Sequence, residues 1–87
     1  MAAYSIEFKP SVEKDFRPIP KAVASRIWEK IEALAEEPLP RGVGKISDSE
    51  GLYRIRAGDY RIIYSVDHEA RKVLIQYVRH RREAYRS

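Results

Sequence analysis

Seven residues in the second half of the chain carry side chains that could act together: Arg54, Arg56, Arg61, Arg79, His80, Arg81 and Tyr85. Along an extended segment side chains alternate, so Arg54 and Arg56 share one face while Tyr53 and Ile55 take the other. Arg61 opens the next extended segment just past the Ala57-Gly58 turn, and antiparallel pairing then sets it near Arg56. If a third strand neighbours the second, its end delivers Arg79, His80, Arg81 and Tyr85 to one edge of the sheet. Three guanidiniums on one face repel one another unless an anion sits between them. Their planar, paired N–H donors match phosphate oxygens. The competing reading is that Asp59, Glu50 or Glu83 neutralises them in surface ion pairs.

Groups able to move a proton near neutral pH are few. Imidazole is the usual one, and His80, among arginines and near Tyr85, is the stronger candidate. His68 falls in a turn and reads as passive. The two histidines are separated by eleven residues and the chain has no cysteine, which makes a poor zinc constellation and excludes disulfides. There is no paired-carboxylate site, and no serine sits in a nucleophile elbow. Neither a metal nor a cofactor is expected.

The elements that must hold these residues can be read from periodicity. Tyr4, Ile6 and Phe8 alternate with polar residues as in a half-buried strand. Pro10-Ser11 ends it and opens a short helix to about Arg17, with Val12 and Phe16 four apart. After Pro18-Ile19-Pro20 comes the clearest helix, from about Pro20 to Glu36, with Val23, Ile27, Ile31 and Leu34 at helical spacing. Trp28 and Ala35 widen that stripe, so Trp28 reads as a core residue rather than a binding aromatic. Pro38 and Pro40 stop the helix, and Arg41-Gly42-Val43-Gly44 reads as a flexible connector. Three strands follow: Leu52–Arg56, Tyr60–Val66 and Lys72–Arg79, with His80–Arg86 a last helical turn or an ordered tail. Consecutive antiparallel strands after a helical pair predict an α+β domain, a meander with helices on one face.

Length and charge set the outer bounds. Eighty-seven residues suffice for one domain with a single small core, residues 1–87, and not for two. No apolar run approaches membrane-spanning length, and the start of the chain lacks the basic and apolar segments of a secretory signal, so a cytosolic protein is expected. The net charge is +4. Residues 1–44 hold seven basic and seven acidic side chains, whereas residues 45–87 hold ten and six, which places the whole excess there. A localised excess of this kind attracts a polyanion by displacing its counterions, although it would equally suit an acidic protein.

Three blocks, Gly51-Leu52-Tyr53-Arg54-Ile55-Arg56, Gly58-Asp59-Tyr60-Arg61-Ile62-Ile63-Tyr64 and His80-Arg81-Arg82-Glu83-Ala84-Tyr85, resemble the signature of RelE toxins in the RelE/ParE superfamily. The opening strand and helices, with the Pro38 stop, are similar to the family's beginning, so the resemblance spans nearly the whole chain. It implies a microbial-RNase-like fold, two N-terminal helices packed on a small curved antiparallel sheet. It further implies the toxin of a type II toxin–antitoxin system: a metal-independent endoribonuclease that cuts messenger RNA in the ribosomal A site, held silent by a RelB-like antitoxin. In that reaction the 2′-hydroxyl attacks the adjacent phosphate, leaving a 2′,3′-cyclic phosphate and a 5′-hydroxyl. By position, Arg61 resembles the transition-state cation, Arg81 the basic residue near the leaving group, and Tyr85 the tyrosine that stacks on or orients a base. Lys45, Arg79 and Arg82 are the further cations expected on the RNA. Arg54 and Arg56 stand where the family pattern has lysines, one of them a general base. Arginine effectively cannot give up its proton. Either these two act only through charge, or another group such as His80 takes the proton. Arg79 also replaces a glycine common in that block. Two other outcomes fit the resemblance: a ParE-like inhibitor of DNA gyrase, or a weakly active relative that mainly binds its antitoxin.

Overall fold

The computed structural model describes residues 3–47 and 51–81. Chain order is β1 (Ser5–Phe8), α1 (Val12–Phe16), α2 (Lys21–Ala33), β2 (Gly44–Ser47), β3 (Leu52–Ala57), β4 (Tyr60–Asp67) and β5 (Lys72–His80). The strands form one sheet in the order β1-β5-β4-β3-β2. From β2 to β5 every neighbouring pair is antiparallel, as the turns between them require. β1 departs from the expected antiparallel pattern: it lies parallel to β5, Ser5 opposite Lys72 and Phe8 opposite Ile75. Parallel neighbours need a long connection, and here both helices and three strands lie between them. Register shifts in β2 near Lys45 and Ser47, and between β4 and β5 at Ile63 and Tyr64, mark bulges that bend the sheet.

The α+β reading therefore stands, with one strand more than expected. The extra strand, β2, begins at the end of the expected Arg41–Gly44 connector; Gly44-Lys45-Ile46-Ser47 holds a single large apolar residue, and Ile46 is exposed. A bulged edge strand leaves little period-two signal. His80 closes β5 as a strand residue rather than opening a helical turn.

The core lies between α2 and one sheet face. Ile27, Ile31 and Leu34, four and three residues apart, are each no more than 1% exposed. They meet Ile55, Ile62, Tyr64, Val73, Ile75 and Val78 from β3, β4 and β5. Each such side chain contributes roughly 1.5–3 kcal/mol on full burial, so Ile27→Ala would cost several times thermal energy. The helix stops at Leu34, and the Tyr64 hydroxyl donates to the Pro38 carbonyl at 2.7 Å, which pins the chain beyond the helix onto the sheet.

Trp28 is a correction. It is 45% exposed, stacked on Phe8 at 5.2 Å and edge-on to Phe16 at 5.7 Å between ring centroids. One residue past Ile27 is about 100° around a helix, which carries Trp28 off the buried stripe and over the short β1. Among the described residues, no helix is long and apolar enough to cross a membrane.

Candidate functional site

The sheet face opposite Ile55, Ile62 and Val78 carries the arginines. Direct cross-strand partners share a face, and the register aligns Arg56, Arg61 and Arg79 in one row across β3, β4 and β5. The next row toward the middle of the sheet is Arg54, Ile63 and Tyr77. Arg61 and Ile63 form the floor, 7% and 3% exposed, although Ile63 lies outside the main core cluster. Side chains from β3 and β5 rise on either side.

The tight β3–β4 hairpin sets the upper end. Ala57 pairs with Tyr60, leaving Gly58 and Asp59 as the loop. Gly58 has φ 63°, a left-handed conformation that suits glycine in a two-residue turn. The Arg81 backbone N–H donates to the Asp59 carbonyl at 2.7 Å, tying the residue after β5 to this turn. Arg56, Gly58, Asp59, Tyr60, Arg61 and Arg81 then line a cleft of about 210 Å³. Three arginines at one small cleft, Arg61 buried and Arg56 and Arg81 exposed, create a positive field that solvent screens least at Arg61. Such a site can hold a phosphate and stabilise added negative charge on it.

Arg54 is aimed by its neighbour. Gly44 is its partner across β2–β3, and the Arg54 side chain lies against the space where a β-carbon would stand, its Nε 2.9 Å from that point. Arg79 is held differently. Its Nη1 donates to Asp15 Oδ1 at 3.0 Å, while Asp15 Oδ2 accepts from the Val78 N–H at 3.0 Å. β1 has ended at Phe8, so α1 supplies this carboxylate to the otherwise open edge of β5. The Arg79 guanidinium also lies over the Tyr77 ring, 4.9 Å from its centroid.

The structure thus brings Arg56, Arg61 and Arg81 together, with Arg54 and Arg79 flanking. Of the carboxylates expected to neutralise the arginines, Asp59 is the one among the described residues. Arg79 forms an ion pair with Asp15; Asp59 lines the cleft, and Glu50 and Glu83 lie outside the described residues. His80 does not stand with the arginine row. It pairs with Tyr60, its ring edge-on to the Tyr60 ring at 5.1 Å, on the other face from Arg61 and Arg79. Lys45 is opposite Tyr53, across the strand from the Gly44–Arg54 side. Arg82 and Tyr85 fall outside the described residues. His68, read as passive, accepts or donates a hydrogen bond with the Tyr4 hydroxyl at 2.8 Å, far from the cleft.

Gly44, Asp15 and Tyr77 escaped the sequence reading. Tyr77 was within reach of it, two residues before Arg79 in the same strand. Gly44 acts on Arg54 through the β2–β3 register and Asp15 on residues 63 and 64 positions away, and no local pattern signals either.

Comparison with known proteins agrees with this geometry. The family model for the ParE toxin of the type II toxin–antitoxin system parDE matches residues 6–85. Toxin RelG of Mycobacterium tuberculosis is 30% identical over 84 residues, covering 95% of this chain and 97% of that toxin. Among solved structures, RelE in the archaeal RelE–RelB complex from Pyrococcus horikoshii superposes with a TM-score of 0.81 at 34% identity, over 91% of this chain and 96% of that one. The RelBE2 toxin–antitoxin complex of Mycobacterium tuberculosis gives 0.78 at 28% identity, over 92% and 93%. This chain belongs to the ParE toxin family of type II toxin–antitoxin systems, and within that superfamily it is a RelE-type toxin.

Proposed function

We propose that the protein is an endoribonuclease that cuts messenger RNA on the ribosome and so inhibits translation in the cytoplasm. The observation that carries this reading is the buried Arg61 between Arg56 and Arg79 in register, at a cleft that Arg81 also lines. The scissile phosphate sits in that cleft. The 2′-oxygen of the preceding ribose bonds to phosphorus and gives its proton to water, the bond from phosphorus to the 5′-oxygen breaks, and the 5′-oxygen takes up a proton from water. The products are a 2′,3′-cyclic phosphate and a 5′-hydroxyl.

Arg61 and Arg56 stabilise the phosphorane, and Arg81 offsets charge on the departing oxygen. With arginine at 54 and 56, these side chains act through charge and do not accept the proton. Their field also lowers the proton affinity of the 2′-hydroxyl bound among them. His80 stands behind Tyr60 and supports the cleft wall through that ring. Tyr85 is assigned to stacking on or orienting a base, and Lys45, Arg79 and Arg82 to binding the RNA.

An antitoxin is the second partner. Two related toxins are seen in complexes with theirs, RelE with RelB in Pyrococcus horikoshii and the RelBE2 pair in Mycobacterium tuberculosis. A RelB-like protein with an acidic segment would cover the arginine face and gain order on binding.

The matching family model bears the ParE name, so inhibition of DNA gyrase is the second reading. Purified protein added to ribosomes carrying messenger should release fragments ending in a 2′,3′-cyclic phosphate. Intact messenger together with a DNA-damage response on expression would favour the gyrase reading instead.

A further inference from the structure

Tyr77 has no part in the reaction outlined above, yet it occupies the same open face. It stands opposite Ile63, and Ile63 opposite Arg54, so Tyr77 and Arg54 flank the floor of the groove two strand spacings apart, roughly 10 Å. Tyr77 is half-buried rather than enclosed. Its orientation is braced. Asp15 holds the Arg79 guanidinium at 3.0 Å, and that guanidinium lies over the Tyr77 ring at 4.9 Å from its centroid. Two constraints in series spare the ring most of the ordering cost that a free side chain meets on binding. A tyrosine packed on an arginine beside a phosphate-sized cationic cleft has the makings of a stacking platform, because every nucleobase presents a π-face.

From this juxtaposition we infer that Tyr77 is a substrate-binding residue that stacks on one nucleobase of single-stranded RNA whose phosphate lies on the arginine row. The inference rests on the ribonuclease reading for its choice of ligand. The base is the one reached from the cleft toward Ile63, so it lies on the opposite side of the scissile phosphate from the Asp59 turn. Stacking by itself discriminates weakly among bases, so the platform tolerates any of them.

The test is the affinity of the whole protein for short oligoribonucleotides carrying 2′-O-methyl groups, which cannot be cut, with normal bases or with a single abasic position moved along the strand. Wild type and Tyr77→Phe should each lose about tenfold in affinity when one particular base is removed. Tyr77→Leu should bind the intact strand about tenfold more weakly and lose nothing further at that abasic position. Melting temperatures of the three proteins, measured alongside, separate a lost platform from a lost fold. A Tyr77→Leu variant with the wild-type base dependence overturns the inference, as does a wild type whose affinity ignores every base. Cleavage of ribosome-bound messenger separates this from the parent reading. Base-dependent binding without cleavage sinks the ribonuclease assignment and leaves Tyr77 standing. Cleavage with unchanged base dependence in Tyr77→Leu does the reverse.

Discussion

Gly44 stands directly opposite Arg54, and the arginine side chain runs over the backbone of β2: a β-carbon at residue 44 would meet Nε at 2.9 Å and Cγ at 3.3 Å. The glycine serves space rather than backbone conformation, since its φ is not among the positive ones. Gly44→Ala should therefore push Arg54 off its line while β2 persists. Cleavage should fall about fivefold, roughly 1 kcal/mol of transition-state stabilisation, with little change in melting temperature. Unaltered cleavage would mean that Arg54 takes up its position without this guide.

Asp15 joins α1 to the free edge of β5 through two hydrogen bonds, and its side chain is 11% exposed. The Arg79 half of the arrangement is partly solvated and worth little alone. The bond to the Val78 N–H is the larger contribution, because its loss leaves a half-buried donor without its acceptor. Asp15→Ala should destabilise by about 2 kcal/mol, and Asp15→Asn, which keeps an acceptor oxygen, by about half that. Chemical denaturation of the three proteins checks the order. Equal stabilities would remove Asp15 from the account of β5.

Tyr64 is fully buried, and its hydroxyl donates to the Pro38 carbonyl. Burial, with a smaller effect of the Tyr53 phenol, pushes its pKa well above the ordinary tyrosine value. A group whose folded pKa is raised adds stability that is present below its unfolded pKa, about 10, and is lost as pH rises above it. Stability of the wild type should thus fall steeply above about pH 10, and Tyr64→Phe should flatten that fall. The same variant should lose about 1 kcal/mol at neutral pH through the missing hydrogen bond. An identical alkaline profile for both proteins would contradict the burial of this phenol.

Trp28 is the only tryptophan in the chain, so its fluorescence reports one place. With 45% of its surface exposed beside Phe8 and Phe16, its emission should be that of a wet indole, quenched by iodide in the folded state. Emission of a dry indole that iodide does not reach would return Trp28 to the core.

Trp28 shows where periodicity informs and where it stops. Ile27, Ile31 and Leu34 were legible because a core stripe repeats at helical spacing, and Arg54 and Arg56 because strand faces alternate. Trp28 borders the same stripe, and spacing alone does not reveal how far the sheet extends beneath it. The Arg56–Arg61 pair followed from a short hairpin, whereas Arg79 joined the row through a register that only the β4–β5 bulge determines. Adjacency in sequence groups His80 with the arginines, whereas strand alternation turns it to the other face beside Tyr60. The β1–β5 pairing and the Asp15 brace join opposite ends of the chain, and neither end carries a mark of its partner.

The central claim is that Arg61, buried at the centre of the row, stabilises the transition state of RNA cleavage. Its most direct test is the initial rate of messenger cleavage on programmed ribosomes by wild type and Arg61→Ala, with the fragment ends identified and the folding of both proteins checked by melting. The wild type should cut to a 2′,3′-cyclic phosphate, and Arg61→Ala should be slower by about a hundredfold or more while remaining folded. Equal rates for the two proteins, or intact messenger with the wild type, would contradict it.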